Sequence, residues 1–250
     1  MNLYQADSLK YSVIIPTLNE EKLLPGLLSQ LNDHCFRNKN DVEIIISDGG
    51  SKDKTIEIAK TKADIVVLHS GQNKQIIAQG RNEGAKSAHG DILMFVNGDI
   101  LFPDITEFFA YVNKYFINSK YGAMTCMVQV FPDEEIPSDR RFHRFYNGYF
   151  KLLNKIGVGM GRGECQIIRK NIFEEMNGYN ENMAAGEDFD LFRRIKKKHD
   201  ILFTDKIMVY ESPRRYRQIG YWGVTWSWLI NAFSVVLKDK SISKEWEQIR

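Results

Sequence analysis

The stretch Ile92-Leu93-Met94-Phe95-Val96-Asn97-Gly98-Asp99 decides the fold class of this chain. Five apolar residues in a row, closed by a polar tripeptide, predict a strand that is buried on both faces. Three other short apolar runs have the same character: Tyr11–Pro16, Val42–Ser47 and Ile65–Leu68. Segments with apolar residues at helical spacing separate these strands: Asn19–Leu31, Ile56–Lys62 and Ile76–Ala88. This alternation predicts an α/β fold with a mostly parallel sheet flanked by helices.

Polar residues follow three of the predicted strands. Asn19, Asp48 and Asp99 each come just after an apolar run. In sheets of this kind ligands bind beyond the carboxyl ends of the strands, so these side chains are expected in one shared site. A carboxylate there is well placed to hold a divalent cation over a phosphate. Two alternatives remain: Asp48 could cap a turn, and Asn97-Gly98 could form a tight hairpin, although Ile100–Pro103 lacks the pattern of a return strand.

A second acidic site follows about ninety residues later, at Gly186-Glu187-Asp188. It opens a helix predicted over Phe189–Lys197. Acidic residues at a helix N-terminus are stabilised by the helix dipole, which is a sufficient explanation for many such pairs. The dipole also favours the ionised form of Asp188, which a general base requires.

The composition places bounds on the function. The chain has 250 residues, 43% of them hydrophobic, enough for one large core, and its net charge of +2 is too small to indicate nucleic-acid binding. Its three cysteines lie far apart without metal-ligand spacing, which suits a reducing compartment. The first ten residues lack a basic region followed by an apolar stretch, so we predict no signal peptide and a cytoplasmic catalytic part.

The C-terminal region contains an uncharged segment, Ile219–Leu237, preceded by Arg214, Arg215 and Arg217. Its length matches a membrane-spanning helix, but interspersed Gly, Ser, Thr and Asn residues dilute it. The tryptophans at positions 222, 226 and 228 resemble interface anchors. The segment therefore predicts a helix that lies on the inner face of the cell membrane, with the arginines on anionic headgroups. The alternative is an apolar helix packed on the protein's own core or across a homodimer contact.

Six motifs occur in the order and spacing of family 2 glycosyltransferases with the GT-A fold, and the chain resembles that family over roughly residues 11–200. These motifs are Val13-Ile14-Ile15-Pro16-Thr17-Leu18-Asn19-Glu20, Asp48-Gly49-Gly50-Ser51, Gly80-Arg81-Asn82-Glu83-Gly84, Gly90-Asp91, Asn97-Gly98-Asp99 and Gly186-Glu187-Asp188. The resemblance divides the chain into a nucleotide-sugar-binding half (1–131), an acceptor and catalytic-base half of the same domain (132–212), and a helical tail (213–250).

The resemblance also implies roles for individual residues. Asp188 is the expected catalytic base, with Glu187 positioning an acceptor or a loop. Asp99 is the expected ligand of Mn²⁺ or Mg²⁺; the family has aspartate where this chain has Asn97, and an amide is a poorer metal ligand. The two arginines 214 and 215 are expected to hold the diphosphate or an anionic acceptor. The expected nucleotide-binding residues are Pro16, Thr17, Asn19, Glu20, Asp48, Arg81, Asn97 and Gly98. For Arg81 a solvated helix face is an equally good interpretation.

The predicted function is transfer of a sugar from a nucleotide-diphospho-sugar to an acceptor hydroxyl with inversion. Asp48 can accept a hydrogen bond from the imide of uracil, which favours a UDP-linked donor. The acceptor class expected from the membrane-proximal tail is lipid-linked or a polysaccharide. Two alternatives stay open: a non-catalytic nucleotide-sugar-binding protein, favoured by Asn97, and a sugar nucleotidyltransferase, disfavoured by the absence of a Gly-rich basic loop after the first strand. A dehydrogenase is disfavoured because no GxGxxG motif follows that strand.

Overall fold

The computed structural model describes residues 11–71 and 74–238, with side chains as far as residue 228. Within this part of the chain one eight-stranded sheet is flanked by helices. The strands are β1 (Tyr11–Thr17), β2 (Val42–Asp48), β3 (Ile65–Leu68), β4 (Ile92–Val96), β5 (Ile100–Leu101), β6 (Ala123–Val130), β7 (Cys165–Arg169) and β8 (Ile201–Glu211). The helices are α1 (Leu24–Leu31), α2 (His34–Arg37), α3 (Thr55–Lys62), α4 (Ile77–Lys86), α5 (Ile105–Val112), α6 (Pro137–Lys155), α7 (Lys170–Glu175), α8 (Glu187–Lys196) and α9 (Arg214–Lys238). A short π-helix, Asn113–Ile117, extends α5.

The strand order is β3-β2-β1-β4-β7-β6-β8-β5. The first four strands are mutually parallel, and β6 pairs in parallel with β8, whereas β7 is antiparallel to both of its neighbours. The carboxyl ends of β1, β2, β4, β6 and β8 therefore share one edge with the amino end of β7. The expected mostly parallel sheet is confirmed, and this edge is where the candidate site forms.

Helices cover both faces of the sheet, as the continuous apolar runs require. In β1 the side chains of Val13 and Ile15 join the core on one face, together with the leucines of α1. Ile14 points to the other face and packs in the core formed with Phe95 and Phe192. Each such buried side chain contributes about 1.5–3 kcal/mol of hydrophobic stabilisation.

Several element boundaries differ from the sequence-based expectation. The first helix begins at Leu24 and not at Asn19, because Asn19 has a left-handed backbone with φ 56°. The helix expected over Phe189–Lys197 begins two residues earlier, at Glu187, after Gly186 with φ 83°. The hairpin alternative for Asn97-Gly98 is wrong, because β5 pairs with β8 and not with β4.

The C-terminal helix α9 is interrupted at Gly220, whose φ of 71° and ψ of 162° are not helical. Its indole at Trp228 packs against Phe142, Tyr146 and Phe150 of α6, so this residue is not the interface anchor that the sequence suggested. Across the described helices, none combines the length and apolarity needed to cross a membrane. Residues 1–10 and 239–250 lie outside the described part of the chain, as do the side chains at the end of the uncharged segment. The domain boundaries at residues 131 and 212 stay a prediction.

Candidate active site

The loop after β2 is built around Asp48, whose side chain is fully buried. Its Oδ1 accepts hydrogen bonds from the backbone N–H groups of Gly50 (2.9 Å) and Ser51 (2.7 Å). Its Oδ2 accepts from the hydroxyls of Ser51 (2.6 Å) and Thr17 (2.9 Å). Both oxygens therefore stabilise the turn after β2, which is the alternative role that the sequence analysis gave to Asp48. A contact with a base would have to replace one of these hydroxyl partners.

The loop after β1 joins the Asp48 turn to Asp99. Asn19 donates its backbone N–H to Ser51 Oγ at 2.8 Å and accepts from the Lys52 N–H at 2.8 Å. The next residue, Glu20, accepts two hydrogen bonds from Arg214 Nη2, at 2.8 and 2.9 Å. The same nitrogen lies 3.0 Å from Asp99 Oδ2. Arg214 therefore bridges two carboxylates that the sequence placed at the ends of different strands.

Gly98 lies inside this arrangement, next to the end of β1. A Cβ atom added at Gly98 would lie 3.4 Å from Glu20 Cγ and 3.5 Å from Thr17 Cγ2, which is ordinary contact. Pro16 lies on the opposite side of the β1 end, where a Cβ at Gly80 of α4 would meet it at 3.5 Å. The nucleotide-binding residues expected from β1 and from the Asn-Gly-Asp motif are thus packed side by side.

Arg81 on α4 is the centre of the site, and its exposed fraction is 1%. Its Nη1 donates to Glu187 Oε1 at 2.7 Å. Its Nη2 donates to Asn97 Oδ1 at 3.1 Å and to the backbone carbonyl of Gly163 at 2.8 Å. The solvated-helix interpretation of Arg81 is therefore wrong. The guanidinium ties the end of β4 to the start of α8 and to the loop before β7.

The acidic pair at the start of α8 lies beside this arginine, with Glu187 buried and Asp188 half-buried. Desolvation raises the pKa of Glu187 to about 7; repulsion from Asp188 adds to the shift and Arg81 opposes it. Desolvation also raises the pKa of Asp188, against the effects of Arg81 and of the Phe189 N–H, which donates to its Oδ1 at 2.8 Å. Burial thus outweighs the helix dipole, which favours ionised Asp188. A carboxyl group with a raised pKa is suited to accept a proton near neutral pH.

Glycine at position 163 allows the close approach of these groups. A Cβ atom there would lie 2.9 Å from Arg81 Nη2 and 3.3 Å from Asp188 Oδ2. The first of these distances is too short for a real side chain, so any other residue would displace the guanidinium from the carboxylates.

A second buried ionic network, which the sequence did not predict, lies at the same edge of the sheet. Arg162 donates to both oxygens of Glu164, at 3.1 and 3.0 Å, and to Glu211 Oε1 at 3.0 Å. Tyr216 also donates to Glu211 Oε1, at 2.8 Å. His143 Nε2 lies 3.7 Å from the same oxygen and has no hydrogen-bond partner among the described residues. Five polar side chains from four segments thus meet at the start of β7 and the end of β8.

The charge states in this network are strongly shifted. Desolvation and repulsion from Glu164 raise the pKa of Glu211 to about 8, with Arg162 acting in the opposite direction. Desolvation and the Arg162 charge lower the pKa of His143 to about 3, so this imidazole is neutral at physiological pH. The only sequence signal for this ionic network is that charged residues lie at the start of β7 and at the end of β8.

The metal expected at Asp99 can be tested against the chemistry of the side chains around it. Across the described residues no cluster of three or more His, Cys, Asp or Glu side chains could hold a metal ion by itself. Mg²⁺ in phosphate-binding sites commonly takes one or two carboxylates and completes its shell with phosphate oxygens and water. Asp99, beside Glu20, fits such a site. Asn97 does not point to it, because its amide oxygen accepts from Arg81.

Two arginines in the first turn of α9 are paired with carboxylates of the same chain. Arg214 contacts Glu20 and Asp99, and Arg217 forms an ion pair with the buried Asp139. Arg215 is half-buried, and desolvation lowers its pKa. Arg214 is therefore committed to the site and not to headgroups, whereas a headgroup contact of Arg215 or Arg217 stays a prediction.

Comparison with known proteins fits this geometry. The family model of Glycosyl transferase family 2 matches residues 12–176, and the chain therefore belongs to that family. An uncharacterized glycosyltransferase of Haemophilus influenzae is 26% identical over 199 residues, which are 74% of this chain and 61% of that protein. The chain thus spans less than two thirds of the length of this relative.

Solved structures share the fold. The mannosyltransferase PcManGT from Pyrobaculum calidifontis, in complex with GDP-Man and Mn²⁺, superposes with a TM-score of 0.73 at 17% identity, over 94% of this chain and 66% of that chain. S. aureus TarS in complex with UDP-GlcNAc superposes with a TM-score of 0.61 at 20% identity, over 82% of this chain and 58% of that chain. These similarities confirm the expected GT-A fold.

Proposed function

We propose that this protein transfers a sugar from a nucleotide-diphospho-sugar to an acceptor hydroxyl. The observation that carries the proposal is the buried Arg81. It joins Asn97, of the Asn-Gly-Asp motif after β4, to Glu187, of the Gly-Glu-Asp motif at the start of α8. Through this contact the residues expected to bind the donor lie beside the residue expected to act as base. Membership of glycosyl transferase family 2 supports the same assignment.

The donor that we propose is UDP-linked. Uracil presents one imide N–H, and a carboxylate at the end of β2 is a suitable acceptor for it. Asp48 can serve if the hydroxyl of Thr17 or Ser51 leaves Oδ2, since the two backbone bonds to Oδ1 would still hold the turn. Proteins of similar fold are known in complex with UDP-GlcNAc and with GDP-Man, so the fold alone does not determine the nucleotide.

We propose that Asp99 holds Mn²⁺ or Mg²⁺ together with the donor diphosphate. The bound cation would neutralise charge that develops on the departing nucleoside diphosphate. Arg214 is the chain's own contribution beside Asp99: as a planar, bidentate cation it is suited to phosphate oxygens once it leaves Glu20. Arg215 lies next to it as a second cation for the diphosphate or for an anionic acceptor.

For the chemical step we propose direct displacement with inversion. Asp188 accepts the proton of the acceptor hydroxyl while the oxygen attacks the anomeric carbon and the bond to the diphosphate breaks. Its raised pKa favours proton acceptance near neutral pH, and Glu187 and Arg81 position it. The acceptor class that we propose is lipid-linked or a polysaccharide at the inner face of the cell membrane.

The first experiment compares the stabilisation of the protein by UDP, GDP and ADP, each with and without Mn²⁺, in thermal unfolding. A ligand that binds only the folded state raises the melting temperature. UDP with Mn²⁺ should give the largest shift, and Asp48→Ala should remove the preference for UDP. Equal shifts with all three nucleotides would contradict the donor assignment, and the absence of any shift would contradict the proposed function itself.

A second candidate is a protein that binds nucleotide sugars without turning them over. Asn97 in place of an aspartate favours it, because its amide is committed to Arg81. Release of nucleoside diphosphate from a bound nucleotide sugar, with water as a poor acceptor, separates the two functions. Turnover that is lost in Asp188→Asn supports the transferase, whereas tight donor binding without turnover supports the binding protein.

A further inference from the structure

Helix α6 presents a row of apolar side chains to solvent. Phe145, Tyr149 and Leu152 are exposed, and so is Ile156 just past the helix end. They recur at intervals of three or four residues, so they lie on one stripe of the helix surface. Phe145 is 65% exposed and Ile156 is 63% exposed. The rings of Phe145 and Tyr149 stack with an interplanar angle of 4°.

Helix α9 presents two indoles in the same manner. Trp222 is 87% exposed and Trp226 is 67% exposed, and they are separated by one helical turn. Ile219 is also exposed, just before the interruption at Gly220. Tryptophan is costly to leave in water at this exposure, because each ring carries about 150–250 Å² of apolar area.

The two stripes lie on the same side of the protein. The contacts between the helices advance in the same direction along both chains: Asp139 with Arg217, Tyr146 with Thr225, and Phe150 with Trp228. Helices α6 and α9 are therefore parallel neighbours. In α6 the stripe is offset from Tyr146 toward the preceding residue, Phe145, and in α9 it is offset from Thr225 toward the following residue, Trp226. For parallel helices these opposite offsets point to one common side.

The charges around the α6 stripe have one sign. Every exposed charged side chain within α6 is a cation, and these residues are Arg140, Arg141, Arg144, Lys151 and Lys155. Arg140 is paired with Glu135, and Lys151 with Asp205. Among the described residues, no acid lies within salt-bridge distance of the other three. An apolar stripe beside a band of unpaired cations is complementary to a surface with an apolar interior and anionic headgroups.

We propose that the exposed face formed by Phe145, Tyr149, Leu152, Ile156, Trp222 and Trp226, called here the α6–α9 surface, docks on an anionic lipid bilayer. A second copy of this chain fits the surface less well, because a twofold contact would bring two bands of cations together. The aromatic side chains suit the headgroup boundary, and the cations beside them suit anionic lipids.

Docking through this surface would bring the candidate active site close to the bilayer. Helix α9 begins at Arg214, whose guanidinium contacts Asp99. Trp222 follows Arg214 by eight positions, across the interruption at Gly220, and eight residues span at most roughly 29 Å of chain. The inference does not depend on the proposed transferase activity, since it rests on exposed side chains outside the site.

The test is flotation of the full chain with lipid vesicles. Vesicles of phosphatidylcholine with about one third phosphatidylglycerol should carry the protein, and raising the salt concentration should release it. The apolar variant Phe145→Ser/Trp222→Ser/Trp226→Ser should lower the bound fraction at least tenfold. The charge variant Arg141→Ala/Arg144→Ala/Lys155→Ala should weaken binding to anionic vesicles by up to about 10²-fold, since each cation near the surface contributes roughly fivefold.

Matched controls use exposed residues elsewhere on the protein. Lys60→Ala/Lys62→Ala/Lys86→Ala removes the same number of positive charges, and Leu68→Ser/Tyr115→Ser removes exposed apolar side chains; both should float like the original protein. Each variant is first checked for an unchanged unfolding midpoint. Failure of the original protein to float overturns the proposal, as do equal losses in the controls. A surface that holds a dimer together in sedimentation, without vesicle binding, would assign the face to a second copy and also overturn it.

Discussion

Arg81 Nη1 lies 2.7 Å from Glu187 Oε1, in an ion pair that is almost completely removed from solvent and joins residues 106 positions apart. A buried charge is costly unless it is paired and hydrogen-bonded. Both terminal nitrogens of Arg81 meet this requirement with three acceptors, from the residue after β4, from the loop before β7 and from α8, whereas its Nε has no hydrogen-bond partner among the described residues. The same contacts that satisfy its charge assemble the candidate site, so binding geometry and stability are linked at this residue.

We predict that Arg81→Ala destabilises the protein by about 3–5 kcal/mol, because it leaves Glu187 buried without a partner. Arg81→Lys keeps the charge but cannot reach three acceptors with the geometry of a guanidinium, so an intermediate loss is expected. Chemical denaturation measures both free energies of unfolding. Arg37→Ala is the control: Arg37 pairs with Asp64 at 3.1 Å on the surface, and its removal should cost about 1 kcal/mol or less. Equal losses for Arg81→Ala and Arg37→Ala would contradict the buried-pair interpretation.

The second prediction concerns the proposed base. Asp188→Asn should retain nucleotide binding but lower the turnover of the nucleotide sugar about 10²-fold or more, because an amide cannot accept the proton. Glu187→Gln should reduce turnover less, because Glu187 positions the base and does not itself take the proton. Steady-state release of nucleoside diphosphate between pH 5 and pH 9 measures both effects. Normal turnover by Asp188→Asn would assign the proton transfer to another group.

The third prediction concerns the pH dependence of stability. Burial raises the pKa of Glu211 from 4.5 to about 8, so the folded protein holds a proton that the unfolded chain has lost. The stabilisation from this group is complete below pH 4.5 and is lost as the pH rises to about 8. Between pH 4.5 and about 8 the free energy of unfolding should therefore fall less for Glu211→Gln than for the original protein, by up to a few kcal/mol.

The measurement is the difference between the unfolding free energies of Glu211→Gln and the original protein at several pH values. Taking the difference removes the contribution of His143, whose lowered pKa makes stability rise with pH at the acid end. A difference that stays constant from pH 5 to pH 9 would show that Glu211 does not titrate in this range.

The sequence predicted the strands that are continuously apolar and missed those whose apolar pattern is interrupted or too short. In β1, β2 and β4 almost every residue is buried, so a continuous apolar run marks each strand. Only Ile207–Tyr210 of β8 could be recognised, because exposed Asp205 and Lys206 interrupt the apolar pattern of that strand. The two-residue strand β5 is too short to have a pattern.

For the candidate site, the sequence predicted which residues lie at the strand ends but not their partners. Asn19, Asp48 and Asp99 follow strands, and topology alone brings them to one edge. The partner of Arg81 could not be predicted, because nothing local in α4 shows that the helix packs against the start of α8. The bridging of Glu20 and Asp99 by Arg214 likewise depends on the return of the chain after β8.

The last prediction concerns Arg214 and the divalent cation. In this structure its Nη2 lies 3.0 Å from Asp99 Oδ2 and 2.8 Å from Glu20 Oε1. The guanidinium therefore neutralises the two carboxylates that a metal cation at Asp99 would need. Arg214→Gln should therefore bind Mn²⁺ roughly tenfold more tightly in the absence of nucleotide, because a charge-assisted contact no longer competes. The same variant should bind UDP more weakly when Mn²⁺ is saturating, because a cation suited to the diphosphate is lost. Isothermal titration measures both affinities. Arg217→Gln, which removes an arginine that contacts Asp139 and neither Asp99 nor Glu20, is the control and should change neither. If Arg214→Gln leaves the Mn²⁺ affinity unchanged while Asp99→Asn abolishes it, Arg214 does not compete with the metal, and its contact with Asp99 is structural only.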